Sequence, residues 1–526
     1  MRVLNALIGD IFEYSGVWSD MLWRKVRENL AIFFVTERSL FLSVMGLTTI
    51  CVLAFEPLLF GFEFKGHLGW VPSHVSAQIL RANSDQGFVG YTLKFFNAGE
   101  YSYYYFDRYP IPFAMSMNAI LSFFKGDLRN WIYASRIIMD LIFILTIYYA
   151  YLISKEFTSD LWKRWSIVLL TFSGQYFMTY KAMIHFDQPA ILGMTALLNA
   201  ILVFERSGDK KGLIFWSFVA PLMGRGYASL FVLALYLLMK ALSGKFGESL
   251  RLALKTLIPS GTICTLMLSY NILVEAKVRN VPVAQVSIVQ SAFSRLGIEK
   301  FTESHQEEKV QWSVFLDDQL SRQKLQLTPF FVGKKQSTYF CFILLGSIFF
   351  FYRRNWKTIF SFTTGLLLLS GVVWIFPMKR LAAFHDYTTM YYVGVPLVIY
   401  GLLIPRLRPA RFVFTVSMVL FLLSLWRISN KQSENLVTIN SLADEFHVVR
   451  EIIGKQTISG NEPILYPYQG RAEIFTGRPY ILGFYFHDMA LALNESESDY
   501  VLSNNPLEGR DPLFAGKYMN LYVTKK

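Results

Sequence analysis

A handful of cations outside the basic loops have neighbours that could do chemistry. Arg108 lies in FDRYPIP, where Pro110 and Pro112 stiffen the backbone. Arg225 sits between two glycines in LMGRGY, a place where backbone can approach a ligand closely. Lys379 and Arg380 follow Pro377, and His385, Asp386 and Tyr387 come shortly after. Lys181 closes an apolar stretch. Guanidinium offers phosphate a planar fork and ammonium a point charge, and both stabilise charge building on a departing phosphate. A carboxylate or imidazole beside such a site could take a proton from an attacking hydroxyl or amine, and Asp187, Asp107 and His74 are the candidates. Each has a plainer role open to it. Asp187 could cap a helix before Pro189, Asp107 could pair with its neighbour, and His74 could be structural. Interfacial Arg and Lys also snorkel to lipid headgroups.

The elements that must position these groups are apolar. The 526-residue chain is 53% hydrophobic and only 17% charged, against about 25% in an average soluble domain. Repeated long apolar stretches predict a polytopic α-helical membrane protein. About eleven transmembrane helices are expected, near 39–60, 131–154, 165–180, 189–205, 213–223, 226–240, 252–273, 338–352, 358–376, 388–404 and 411–427. Pro221 and Gly224-Arg225-Gly226 divide the 213–240 stretch into a tight hairpin, and the 15-residue apolar run 110–124 is too short to span comfortably and predicts an interfacial helix.

With residues 1–38 as a cytoplasmic amphipathic segment and no cleavable leader, the loops 155–164, 206–212, 240–255, 353–357 and 405–411 all face inward and all are basic. The net charge of +13 therefore reads as topology, not as nucleic-acid binding. The transmembrane domain is 39–427, with outer loops 61–130 and 274–337. The first of these has helix-forming patches and the aromatic run EYSYYYFDRYP. Residues 428–526 predict a small C-terminal α/β extracytoplasmic domain: a helix over 435–453, and strands at PILYPY, DYVLSN and NLYVTK. The three cysteines lie in apolar segments and offer no disulfide framework. Phosphate-loop, GxSxG, HExxH and dinucleotide fingerprints are all missing, which argues against soluble-nucleotide chemistry and metallohydrolysis.

The order of these pieces is familiar. An apolar anchor precedes GHLGWVPSHVSAQIL and YYYFDRYPIPF; then come an Arg-led helix (ASRIIMDLIFIL), HFDQPA between spans, the hairpin LMGRGY, and MKRLAAFHDYTTMYY before a terminal soluble domain. This layout resembles the class C glycosyltransferase (GT-C) superfamily, in particular dolichyl-phosphate-mannose protein mannosyltransferases and lipid A aminoarabinose transferases. The resemblance implies an enzyme that transfers a sugar from a polyprenyl-phosphate donor to a glycan, lipid or protein acceptor on the extracytoplasmic face, in a bacterial inner membrane. It places Arg108, Arg225, Lys379, Arg380, His385 and Tyr387 on the donor phosphate. Asp187 is the acid of the second outer loop, with Asp107 or His74 as further candidates for the base. The family's early first-loop acid has no match at Ser73-His74. The superfamily admits a divalent ion (Mg or Mn), although no ligand cluster in the sequence requires a metal. The rival readings are a transporter or flippase of lipid-linked saccharides, which would favour internal repeats and mid-span broken helices, and a non-catalytic assembly protein that keeps the fold.

Overall fold

The computed structural model describes residues 37–62, 67–82, 90–105, 110–290, 311–330, 332–456, 462–468 and 479–524. Its helices, in chain order, begin with α1 (Glu37–Ala54), α2 (His67–Leu80), α3 (Ile111–Leu121), α4 (Leu128–Ser154), α5 (Leu161–Phe172), α6 (Gln175–Tyr180) and α7 (Asp187–Ser207). They continue with α8 (Lys210–Val219), α9 (Ala228–Leu242), α10 (Phe246–Lys255), α11 (Leu257–Arg279), α12 (Trp312–Leu327) and α13 (Lys334–Tyr352). The last are α14 (Trp356–Ile359), α15 (Phe362–Ile375), α16 (Lys379–Phe384), α17 (Gly394–Leu403), α18 (Ala410–Ser433), α19 (Leu436–Gln456) and α20 (Pro479–Tyr485).

Every apolar interval read from the sequence holds helix. Among the described residues, five helices are long and apolar enough to cross a membrane, and six if the bent pair Asp386–Tyr392 and Gly394–Arg406 counts as one. The chain is built as an integral membrane protein. The central span is α7, packed on α4, α8 and α9, while the stretch Phe246–Arg279 is largely exposed and peripheral. Aspartates start two of the helices that leave the basic loops. Asp160 accepts from the backbone N–H groups of Trp162 and Lys163, and Asp209 accepts from that of Lys211, satisfying donors no helical partner can reach.

Two intervals are broken, for identifiable reasons. The 165–180 stretch divides at Gly174, where a Cβ would lie 2.1 Å from the Gln326 carbonyl oxygen, because the chain near Pro329 crosses there. The 388–404 stretch is a 3-10 turn, Asp386–Tyr392, bent 49° from the helix that follows. At the bend a Cβ on Gly394 would sit 1.9 Å from the Leu367 carbonyl. The 213–240 stretch is a helical hairpin, as its Pro and Gly residues predict, and 110–124 is the short helix α3 followed by one 3-10 turn.

One end of the bundle carries a seven-stranded sheet. Its strands are β1 (Tyr91–Asn97), β2 (Glu100–Tyr105), β3 (Ile464–Pro467), β4 (Ala490–Ala492), β5 (Tyr500–Ser503), β6 (Phe514–Ala515) and β7 (Asn520–Val523), in the order β2-β1-β4-β3-β5-β7-β6. The three strands predicted in the terminal segment are β3, β5 and β7. The aromatic run of the first loop is β2, and its hairpin with β1 extends the terminal sheet through parallel pairing of β1 with β4. The sheet therefore is not confined to residues 428–526. Consecutive aromatics put rings on both faces of this hairpin, and on one face Leu93, Phe95 and Tyr104 meet a second core built with α2, α19 and α20.

A buried arginine ties these pieces together. Arg81, at the end of α2, donates to the carbonyls of Thr92 (2.8 Å) and His487 (3.0 Å) and lies 4.5 Å from the Tyr91 ring centroid. Burial lowers its pKa to about 10, against the nearby Tyr91 and Asp488, which favour the charged form.

Candidate functional site

Two clusters of buried charge lie at the two ends of the segment 181–186, which joins α6 to α7. The first is built on Lys181, which has no exposed surface. Its ammonium lies 2.8 Å from Asp140 Oδ1 and pairs also with Glu56 Oε2. Arg136 Nε donates to Glu56 Oε1 at 2.7 Å. Two carboxylates thus meet two cations. Arg136 and Asp140 stand one turn apart on α4, so both project to the same side of it. Glu56 opens the first loop, two residues beyond the end of α1. Two cations on its two oxygens hold it ionised against the burial that would protonate it.

The second cluster surrounds Asp187, also wholly buried, at the first turn of α7. Tyr391 donates to Asp187 Oδ1 at 2.5 Å, and Arg225 Nη1 lies 3.1 Å from the same oxygen. His185 Nδ1 lies 2.5 Å from Oδ2. The Tyr387 ring is flanked by the imidazoles of His185 and His385, each 5.1 Å away between centroids, and the Arg225 guanidinium is 6.0 Å from it. Tyr180 donates to Asp386 Oδ1 at 2.6 Å on the far side.

The local sequence forces this meeting. Gly224 has φ +62°, and a Cβ there would lie 2.1 Å from the Phe186 carbonyl oxygen. Only glycine lets the hairpin tip touch the turn before α7, and the Arg225 N–H then donates to that same carbonyl at 3.0 Å. The bend before α17 brings Tyr387 and Tyr391 in from the other side.

Of the residues singled out in the sequence, the structure gathers Asp187, Arg225, His385 and Tyr387 into one cluster. Lys379 is elsewhere on the same segment, its ammonium 4.3 Å from the Trp312 ring centroid. Arg322 of α12 fixes that segment by donating to the carbonyls of Ala382 (2.6 Å) and Ala383 (2.9 Å). His74 is buried on α2, whose other side chains enter the core beneath the sheet. Asp107 and Arg108 lie outside the described residues, as does the side chain of Arg380. Among the described residues, no three His, Cys, Asp or Glu side chains stand close enough to hold a metal ion.

Sequence reading passed over Glu56, Arg136, Asp140, His185 and Tyr391. Glu56 was hidden by carrying the first span to residue 60, whereas the helix ends at Ala54. For Asp140 a signal existed: a carboxylate in the middle of a spanning helix is expensive and marks either a partner or a function.

No protein-family model matches the chain, and no curated protein matches it. Its fold is nonetheless that of ArnT. The crystal structure of ArnT from Cupriavidus metallidurans bound to undecaprenyl phosphate matches with a TM-score of 0.55 and 11% identity, over 92% of this chain and 98% of that one. The apo ArnT structure matches at 0.54 and 11%, over 93% and 99%.

Proposed function

We propose that this chain is a membrane glycosyltransferase that moves a sugar from a polyprenyl-phosphate carrier to an acceptor, at the end of the bundle carrying the sheet and on the extracytoplasmic face. The observation that carries the reading is the shared fold over nearly all of both chains with a protein that binds undecaprenyl phosphate. The two buried charge clusters, formed near the ends of α1, α6 and α7 and on the inner face of α4, supply the groups such a reaction needs.

In this reading Arg225 faces the donor phosphate, with Tyr387 and His385 beside it and Lys379 along the same segment. Charge then accumulates on phosphate oxygens as the bond from the sugar's anomeric carbon to the bridging oxygen breaks, and a fixed guanidinium stabilises that charge without reorganising. The acceptor's attacking oxygen or nitrogen must lose a proton as the new bond forms. Asp187, 3.1 Å from Arg225, and Glu56, paired with Lys181 and Arg136, are the bases the geometry offers. No step in this scheme calls on a metal ion from the residues described.

The test is turnover by the full chain in detergent with undecaprenyl-phosphate-linked sugars. Release of undecaprenyl phosphate is expected from wild type, and its loss from Arg225→Ala and Asp187→Asn. One feature favours a different reading: both Lys181 and Arg225 are already paired with carboxylates, as in a scaffold that keeps the fold without turnover. Wild type that neither transfers nor hydrolyses any donor would decide for that non-catalytic assembly role.

A further inference from the structure

The β1–β2 hairpin has two unlike faces. Leu93, Phe95 and Tyr104 point into the core, so the register puts Lys94 and Phe96 opposite Tyr103 and Tyr101 on the other face. There Tyr101 is 43% exposed, although core packing needs none of its ring. The Phe96 and Tyr101 rings lie 5.1 Å apart between centroids. The Lys94 ammonium sits 4.1 Å from the Tyr101 ring centroid and is held there by Glu462. At the hairpin tip, Asn494 Nδ2 lies 3.4 Å from Asn97 Oδ1, and both amides are exposed.

We infer that this face binds a saccharide without net negative charge, and on the transfer reading that saccharide is the acceptor. Sugar C–H groups carry partial positive charge and stack on the electron-rich face of an aromatic ring, and exposed amides pair with hydroxyls. The charge around the rim selects against the other natural occupant of an exposed aromatic face, an anionic bilayer surface. Among the described residues, Glu100, Glu462, Glu495, Glu497 and Asp499 stand against Lys94 and Arg510, and that net negative field repels lipid phosphate and polyanions alike.

Binding can be measured apart from turnover, so failure here and failure of the transferase reading are separate results. Isothermal titration of the full chain in nanodiscs uses chitotetraose, maltotetraose and tetragalacturonate as probes. The expected result is saturable binding of at least one neutral tetrasaccharide, with tetragalacturonate at least tenfold weaker. Tyr101→Ala and Phe96→Ala should each weaken the neutral ligand tenfold or more while their melting temperatures stay at the wild-type value. No saturable binding of either neutral probe, equal binding of the polyanion, or undiminished binding by Tyr101→Ala would overturn the inference. A nitroxide on Tyr101→Cys gives a second check on the same face. Collisions with the water-soluble nickel chelate should dominate, whereas dominance of lipid-dissolved oxygen would hand the face to the bilayer and also overturn it.

Discussion

Lys181 and Arg225 are both cations with essentially no exposed surface, yet their surroundings differ in kind. Lys181 sits among charges alone: two carboxylates and a guanidinium, drawn from the end of the first span and from one face of α4. Arg225 shares its carboxylate with a phenol and an imidazole, and an aromatic ring fills the space beyond. The first cluster balances formal charge and joins distant segments, as a brace does. The second adds groups that can donate, accept or reorient without creating net charge. A segment of six residues connects them, so a change in either is felt by the turn that opens α7. On the transfer reading proposed above, the contrast assigns the bracing role mainly to the first cluster and the chemistry mainly to the second, with Glu56 as the member that could serve both.

Removing one cation should break the brace hardest. Lys181→Met leaves Glu56 and Asp140 facing a single guanidinium, and uncompensated buried charge typically costs about 3–5 kcal/mol. The double variant Lys181→Met/Asp140→Asn restores the balance and should recover most of the loss in denaturation in detergent. Additive losses would show that the two side chains do not act as a pair. At the second cluster, Arg225→Ala should cost a similar amount, about 3–5 kcal/mol, for the same reason. Arg225→Lys restores the charge but not the planar fork, so it should recover the melting temperature and not donor turnover. Recovery of both together would make Arg225 a structural cation.

Tyr391→Phe removes one hydrogen bond to a charged acceptor and nothing else of size. It should cost about 1.5–3 kcal/mol, measured the same way, because Asp187 retains Arg225 and His185. A loss as large as that from Arg225→Ala would mean that the phenol, not the guanidinium, carries the cluster.

The frame of the molecule was open to inspection in the sequence, since apolar runs, basic loops and breaker residues are local signals. LMGRGY announced both a tight turn and a cation, and the glycine that permits contact with Phe186 is the one the sequence shows. What stayed hidden was pairing across distance. Glu56 and Lys181 are separated by 125 residues, and Tyr391 and Asp187 by 204. No periodicity reports such a partner. The strand identity of EYSYYY was missed for a related reason: it pairs with β1, and the sheet that β1 joins lies in β4, nearly 400 residues away, while an aromatic run beside a membrane reads equally well as an interfacial belt.

The smallest effect tests the same contrast at a histidine outside the bundle. His185 has a carboxylate oxygen at 2.5 Å, whereas His487 is half-buried beneath the sheet with Arg450, Arg81 and Asp488 near it. Burial first, then the two guanidiniums, lower its pKa from 6.5 to about 4. Because the unfolded chain then binds more protons between those values, His487's contribution to stability is complete above about pH 6.5 and is lost as pH falls toward 4. Melting temperatures taken across that window should fall for wild type, and His487→Gln should flatten that part of the slope. An unchanged slope in the variant would place the acid sensitivity elsewhere, with the carboxylates of the two buried clusters as the next groups to replace.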